Sequence, residues 1–526
     1  MITAAEQPKK AYPVGIQTFS EIIESKCLYI DKTEYIYKMT RPGAKYFFLS
    51  RPRRFGKSLL LSTLRAYFEG RKDLFKGLAL ERLETEWNVH PVLHFSLSTI
   101  NSATKENILS GLNVKLAEYE KLYGKDSNQV LPGERLEGII ERAYKQSGQK
   151  VVVLIDEYDS PLLNVIDEEE KLSETRDIML NFYSPLKDCD PYLRFVFITG
   201  ITKFSQLSIF SKLNNLKNIS MLPDYGGICG ISEEEIQTQM KDDLELLAKR
   251  LEISPEETFA KLKEQYDGYH FAWPSDDIYN PFSLLSAFDA GRINSYWFET
   301  GTPSSLIKLL RKNNITPQEL SECQVIEELF NVPLETANSR IPFLYQSGYL
   351  TIKAYDSQDG LYTLDVPNKE VRIGLMRNLL KLYLEDERKL QEGTLVIIQL
   401  KRNILQNKMN EALELLQKFL SSIPYCHQAN SEGHYQHLLY VIFTLLGDYV
   451  DVEVHTGQGR IDLVIRTEKY IYLVEVKMNQ DAKKALEQIN LKDYSSRFAL
   501  SHLPIVKVGI NFDSKKRTLS DWVIES

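Results

Sequence analysis

Residues 51 to 58 read RPRRFGKS and residues 460 to 477 read RIDLVIRTEKYIYLVEVK, two segments whose side chains suit different chemistry on phosphates. In the first, Gly56, Lys57 and Ser58 form a GK[ST] core. Backbone N–H groups at a helix start cradle phosphate oxygens, the lysine reaches the β and γ oxygens of a nucleotide such as ATP, and the hydroxyl ligates Mg²⁺. The loop departs from GxxxxGK[ST] at one point, since Arg51 stands at the position of the first glycine. Expected nucleotide contacts are Arg53, Arg54, Phe55, Gly56, Lys57 and Ser58. The three arginines Arg51, Arg53 and Arg54 could clamp phosphates, reach a neighbouring subunit's nucleotide or sit solvated at the rim.

Farther along, Val151 to Ile155 are five consecutive apolar residues ending in Asp156 and Glu157. A carboxylate at the end of a central strand can hold Mg²⁺ beside Ser58, and the next can orient or deprotonate an attacking water, so Asp156 is assigned to metal and Glu157 to catalysis. A third apolar run, Arg194 to Ile198, leads to Thr199, Gly200, Thr202 and Lys203, where a polar group that senses the γ-phosphate is expected; Thr199 is counted among the nucleotide contacts, and which threonine is the sensor is left open.

The C-terminal segment offers a different constellation. Asp462 falls in one strand, and Glu475 and Lys477, two apart in the next, share a face. Two carboxylates a few ångströms apart bind Mg²⁺ or Mn²⁺, and an adjacent lysine can position the water that attacks a phosphodiester. Glu432, at the start of the preceding helix, could add a further carboxylate. Gln488 and Tyr494 follow. His434, His437 and His455 lie nearby without metal-ligand spacing and read as structural or surface residues.

These groups need elements to position them. Tyr46 to Leu49 form a buried-strand run, and Leu59, Leu60, Leu64, Tyr67 and Phe68 recur at helical spacing, giving strand, loop and helix around the phosphate loop. The expected architecture is α/β. An AAA-like P-loop core with an N-terminal extension spans 1–235, and a helical lid spans 236–338. A helix and hairpin of winged-helix pattern follow at 339–372, then a helical connector at 373–425 and a nuclease-like αβββαβ domain at 426–526.

Composition agrees with a multidomain globular chain: 526 residues exceed one core, and 43% hydrophobic with 26% charged residues are ordinary values. No run reaches membrane-span length, the start of the chain has no apolar targeting segment, and the five cysteines are scattered, so a cytoplasmic protein with free thiols and no membrane partner is expected. A net charge of −8 excludes polyanion binding over the whole surface, so contact with nucleic acid must be local.

Taken together, YIDKT at Tyr29, SRPRRFGKSLLLSTL at Ser50, LIDEYDSPL at Leu154, ITGITKFSQLSIFSKLNNLKNIS at Ile198, YNPFSLL at Tyr279 and YWFETGTPS at Tyr296 resemble the bacterial AAA-ATPase-like family. Its members typically end in a PD-(D/E)XK nuclease-superfamily domain of restriction-endonuclease-like fold. The resemblance implies that RPRRFGKS is an ordinary phosphate loop of that family. It also implies nucleotide contact at Gly56, Lys57 and Ser58, Walker B roles at Asp156 and Glu157, and nuclease roles at Asp462, Glu475 and Lys477, with Glu432 matching the helix glutamate before the nuclease core. The linkage of two complete motif sets in one chain leads to the expectation of ATP hydrolysis coupled to metal-dependent cleavage of DNA. Two other readings stand beside it: a nucleotide-dependent switch whose nuclease-like domain binds without cutting, and a homo-oligomeric scaffold.

Overall fold

The computed structural model describes residues 10–203, 216–298, 323–334, 340–384, 387–423, 432–447, 451–457, 460–491 and 503–525; the side chains of Glu432, His434, His455 and Asp462, and all of Tyr494, lie outside the described set. The chain divides into two compact units, Met1–Ser305 with Glu322–Glu370, and Leu306–Ser321 with Val371–Ser526.

In the first unit the apolar runs become strands of one sheet. The order along the chain is β1 (Tyr46–Ser50), α1 (Lys57–Phe68), β2 (Val92–Ser96), α2 (Lys105–Tyr123), α3 (Pro132–Ser147), β3 (Val151–Asp156), α4 (Glu169–Tyr183), β4 (Leu193–Gly200) and β5 (Lys217–Asn218). The sheet order is β2-β3-β4-β1-β5 and every neighbouring pair is parallel. β3 is buried along its whole length, as a strand covered on both faces must be. Its alternate residues Val151, Val153 and Ile155 pack with Leu112 and Leu116 of α2, Ile139 of α3 and Phe182 of α4. On the opposite face Phe68 of α1 meets Phe195 of β4 at 5.1 Å between ring centroids. Parallel pairing brings the C-terminal ends of β1, β3 and β4 to one edge, where the phosphate loop, Glu157 and Ile201 follow directly. Ligands of open α/β sheets bind at that edge.

A mainly helical layer follows: β6 (Ile231–Ser232), α5 (Glu233–Gln239), α6 (Lys241–Leu251), α7 (Pro255–Tyr266), β7 (Ile278–Tyr279) and α8 (Pro281–Ala290). Local chemistry starts these helices: the Ser232 hydroxyl accepts from Glu235 N, Ser254 from Glu257 N, and the Asn280 side chain from Phe282 N and Ser283 N. Their core takes in Tyr12 and Leu28 from the N-terminal extension beside Leu262, Leu284 and Phe288. The stretch expected as helix and hairpin consists of α9 (Ile341–Gln346), β9 (Thr351–Asp356) and β10 (Leu361–Asp365). A third strand, β8 (Cys323–Val325), joins from outside that stretch, and the order is β8-β10-β9.

The second unit holds α10 (Lys369–Leu384), which begins at the division, then α11 (Glu387–Leu405), α12 (Met409–Ser421), α13 (Glu432–Leu446), β11 (Asp451–Gly457), β12 (Arg460–Arg466), β13 (Ile471–Met478), α14 (Ala482–Leu491), β14 (Ile505–Asp513) and β15 (Thr518–Glu525). The order β11-β12-β13-β14-β15 contains one parallel pair, β13 with β14, and α14 makes the crossover it requires. Two expectations are corrected. The sheet has a fifth strand, β15, beyond the expected αβββαβ succession. The helices read as a connector belong to this unit: Gln417 Nε2 donates to Leu519 O at 2.7 Å, and Tyr472 Oη donates to Asn407 Oδ1 at 2.8 Å. α12 packs on β15, and α11 packs on α12 and α13, so their apolar faces are covered within this unit.

Candidate functional sites

The shape of the loop before α1 is set by its own backbone. Gly56 caps α1 at φ +92°, a conformation that suits glycine, and Arg54 precedes it at φ +66°. The first intrahelical bond runs from Leu60 N to Gly56 O, so the N–H groups of Lys57, Ser58 and Leu59 stand at the helix start without helical acceptors. Lys57 is buried, and its Nζ donates to Arg51 O at 3.0 Å and Pro52 O at 2.9 Å, so the loop's own carbonyls hold the ammonium. Burial pushes that ammonium below its ordinary value, a shift the Asp156 carboxylate opposes.

Glu157 and Asp159 line the same cavity as Lys57 and Ser58, which has a volume of about 540 Å³. Asp156 is buried and accepts from Glu157 N at 2.9 Å, while Glu157 takes the left-handed region at φ +50° and is half-buried. Burial, then the Asp156 charge, pushes the Glu157 carboxyl above the usual range. Val14 and Ile16 of the N-terminal extension and Phe282 and Leu285 of α8 add apolar surface to its lining. Arg53 and Arg54 line it and are exposed, with the Arg54 guanidinium 4.8 Å from the Phe282 ring centroid.

Two expected contacts lie elsewhere. The Phe55 ring is buried edge-on against Tyr269 and Phe271, so its side chain belongs to the core, and nucleotide contact there is left to its backbone. Thr199 is fully buried with its hydroxyl donating to Leu49 O at 2.7 Å, and it is absent from the cavity lining. The alternation of β4 turns Thr199 toward β1. The loop that reaches the cavity comes one turn later, at Ile201.

In the second unit, β12 and β13 pair with Asp462 directly opposite Glu475. Glu475 is 1% exposed, and Lys477 Nζ lies 3.0 Å from its Oε1. Gln488 of α14 accepts from the same Nζ, so strand and crossover helix hold the lysine together. Among the described residues no group of three His, Cys, Asp or Glu converges as a metal site, and no helix is long and apolar enough to cross a membrane.

Comparison with known proteins identifies the domain around each of these clusters. Residues 13–210 match the AAA-ATPase-like family model, described as "Predicted AAA-ATPase", and residues 430–522 match the PD-(D/E)XK nuclease superfamily. A protein of Azotobacter chroococcum mcd 1, described as an uncharacterized protein in the vnfD 5′ region, is 33% identical over 529 residues, covering 98% of this chain and 99% of that relative. The chain belongs to the AAA-ATPase-like family. It carries a PD-(D/E)XK nuclease-superfamily domain at its C-terminus. No solved structure matches it.

For this AAA-ATPase-like protein the loop arginine is explained by packing. Arg51 is 1% exposed and donates to Ser50 O at 2.9 Å, Ser220 O at 2.8 Å and Tyr225 O at 3.1 Å, with its guanidinium 4.3 Å from the Phe271 ring centroid. Burial lowers its pKa to about 10. The residue ties the loop to the chain after β5, and with its guanidinium spent on those carbonyls it is not placed to clamp phosphates. Arg51→Gly, which restores the usual glycine, is therefore expected to destabilise the first unit by about 3 kcal/mol, because three carbonyls lose a charged donor. A lowered first transition in thermal or urea unfolding would show it; an unchanged transition would refute the assignment.

Sequence reading also missed Asp159. Its Oδ2 accepts from Ile201 N at 2.9 Å and from Thr202 N and Thr202 Oγ1 at 2.7 Å each, and Tyr158 Oη donates to Thr202 O. The fit is close: a Cβ at Gly200 would come within 2.4 Å of Asp159 Oδ1. Burial raises the Asp159 pKa, while the Thr202 bonds oppose the shift. The signal was an acid inside the apolar run LIDEYDSPL, where a solvated turn would not need Tyr158, Pro161 and Leu162. The N-terminal Val14 and Ile16 had no comparable signal, because Phe282 and Leu285, which share the cavity lining with them, lie more than 260 residues away in the chain.

Proposed function

We propose that the protein binds and hydrolyses ATP in the first unit and that this turnover governs metal-dependent cleavage of DNA by the C-terminal domain. The observation that carries the reading is one cavity lined both by Gly56, Lys57, Ser58 and Glu157 and by the apolar side chains of Val14, Ile16, Phe282 and Leu285. A nucleoside triphosphate needs both kinds of lining, polar donors for its phosphates and apolar surface for its base. The helix-start N–H groups and Lys57 receive the phosphates, Arg53 and Arg54 line the approach, and Glu157 takes the water proton. Ser58 and Asp156 offer the hard oxygen donors that Mg²⁺ requires, and the ion would neutralise charge on the transferring phosphoryl group.

In the nuclease-like domain, Asp462, Glu475 and Glu432 are the proposed carboxylates for Mg²⁺ or Mn²⁺. Lys477, fixed by Glu475 and Gln488, orients the attacking water. Signal within the first unit would leave the cavity through the loop after β4. Asp159 holds that loop on one side, and Lys203 N donates to Gln346 Oε1 of α9 at 2.8 Å on the other.

The test is to incubate purified full-length protein with labelled duplex DNA and Mg²⁺, with and without ATP, beside Glu157→Gln. Coupled turnover is expected to give ATP-altered cleavage that Glu157→Gln abolishes or locks in one state. Cleavage equal under all conditions refutes the coupling, and no cleavage with intact ATP binding favours the switch.

A further inference from the structure

We infer that two lysine-bearing turns at the end of the C-terminal sheet, residues 479–484 and 513–517, seat the phosphate backbone of duplex DNA beside Glu475 and Lys477. The inference rests on the nucleic-acid reading of that domain. β13 and β14 run parallel with Met478 opposite Phe512, so the chain leaves both strands at the same edge. The two turns are tied there. Asn479 Oδ1 accepts from Ser514 N and Ser514 Oγ, both at 2.9 Å; Asn479 N donates to Phe512 O at 2.7 Å; and Gln480 N donates to Asn511 Oδ1 at 2.9 Å.

Charge at this edge is opposite to that of the chain as a whole, which carries −8. Lys483 and Lys484 follow one turn and Lys515, Lys516 and Arg517 form the other; all four lysines are exposed. The two acids present are occupied by backbone: Asp481 accepts from Lys483 N at 2.9 Å, and Asp513 from Lys515 N at 2.9 Å and Lys516 N at 3.0 Å. Asp513 approaches Lys516 Nζ at 3.9 Å. Acids that shape the turns thus leave the lysine heads facing solvent, the arrangement that gathers phosphates by counterion release.

The spacing fits. From Glu475 to Asn479 is four residues, about 13 Å at the strand rise of roughly 3.3 Å per residue. Along one DNA strand, phosphates advance about 3.4 Å per nucleotide along the axis. A duplex with its scissile phosphate at Glu475 and Lys477 would therefore present phosphates a few nucleotides away to these turns. An overall acidic protein that admits DNA at one place needs such a local seat.

Binding of a fluorescein-labelled 20-base-pair duplex to the full-length protein, followed by anisotropy in EDTA from 50 to 200 mM KCl, tests this without cleavage. The variant Lys515→Ala/Lys516→Ala is expected to flatten the slope of log affinity against log salt by about 1.8, so that affinity falls about tenfold less across this range than in the wild type. Lys418→Ala, an exposed lysine of α12, is expected to leave the slope unchanged. An unaltered slope and affinity in the double variant, or an equal change in Lys418→Ala, overturns the seat while leaving the nucleic-acid reading intact. A wild type that does not bind the duplex overturns both. Unchanged thermal unfolding of the variants ties the result to charge.

Discussion

Lys57→Ala is expected to lower ATP hydrolysis at least about 100-fold while leaving the fold of the first unit in place. The lysine is buried at the head of α1 and donates to two carbonyls of its own loop, which fix the ammonium at the cavity. Its burial disfavours the charged ammonium, and the Asp156 charge is the largest influence opposing that. A triphosphate brings several negative charges into that site, so the exchange of carbonyl for phosphate strengthens the lysine's environment as chemistry begins. Arg65→Ala, on an exposed face of the same helix where Arg65 pairs with Glu69 at 2.7 Å, is the matched control and should turn over normally. Phosphate release and nucleotide binding measured on both variants decide the matter: turnover in Lys57→Ala equal to wild type would remove the cavity from the mechanism.

Much of this site was legible because its residues obey local rules. The strand–loop–helix around Lys57 and the apolar run ending in Asp156 and Glu157 announce their structure within about ten residues each, and parallel pairing then brings their ends to one edge. What was not legible depends on distant partners. Arg51 looked like a defect in a phosphate motif; its explanation lies in the carbonyls of Ser220 and Tyr225 and the ring of Phe271. Thr199 was selected by position after a strand, but whether a hydroxyl at the end of β4 faces the cavity or β1 depends on the strand's register, and the register turns it to Leu49 O. The helices of α11 and α12 carry a clear apolar face, yet periodicity does not name the surface that face covers.

In the C-terminal domain the decisive pattern was again short, and it leads to the second large effect. Glu475→Gln is expected to reduce metal-dependent DNA cleavage at least about 100-fold, and Asp462→Ala to do the same. The register that sets Asp462 opposite Glu475 follows from seven consecutive antiparallel partners, Arg460 with Lys477 through Arg466 with Ile471, so the pairing does not hinge on one contact. A carboxylate at 1% exposure is costly unless a charge compensates it, and Lys477 at 3.0 Å does so. Glutamine keeps the shape of Glu475 and removes the charge, so a folded but inactive protein separates chemistry from stability. If the pair were only a structural ion pair, Glu475→Gln would lower the unfolding temperature and leave cleavage per folded molecule unchanged. If it holds the metal, cleavage is lost at a retained fold, and DNA binding in EDTA persists because the lysine turns at 479–484 and 513–517 are untouched.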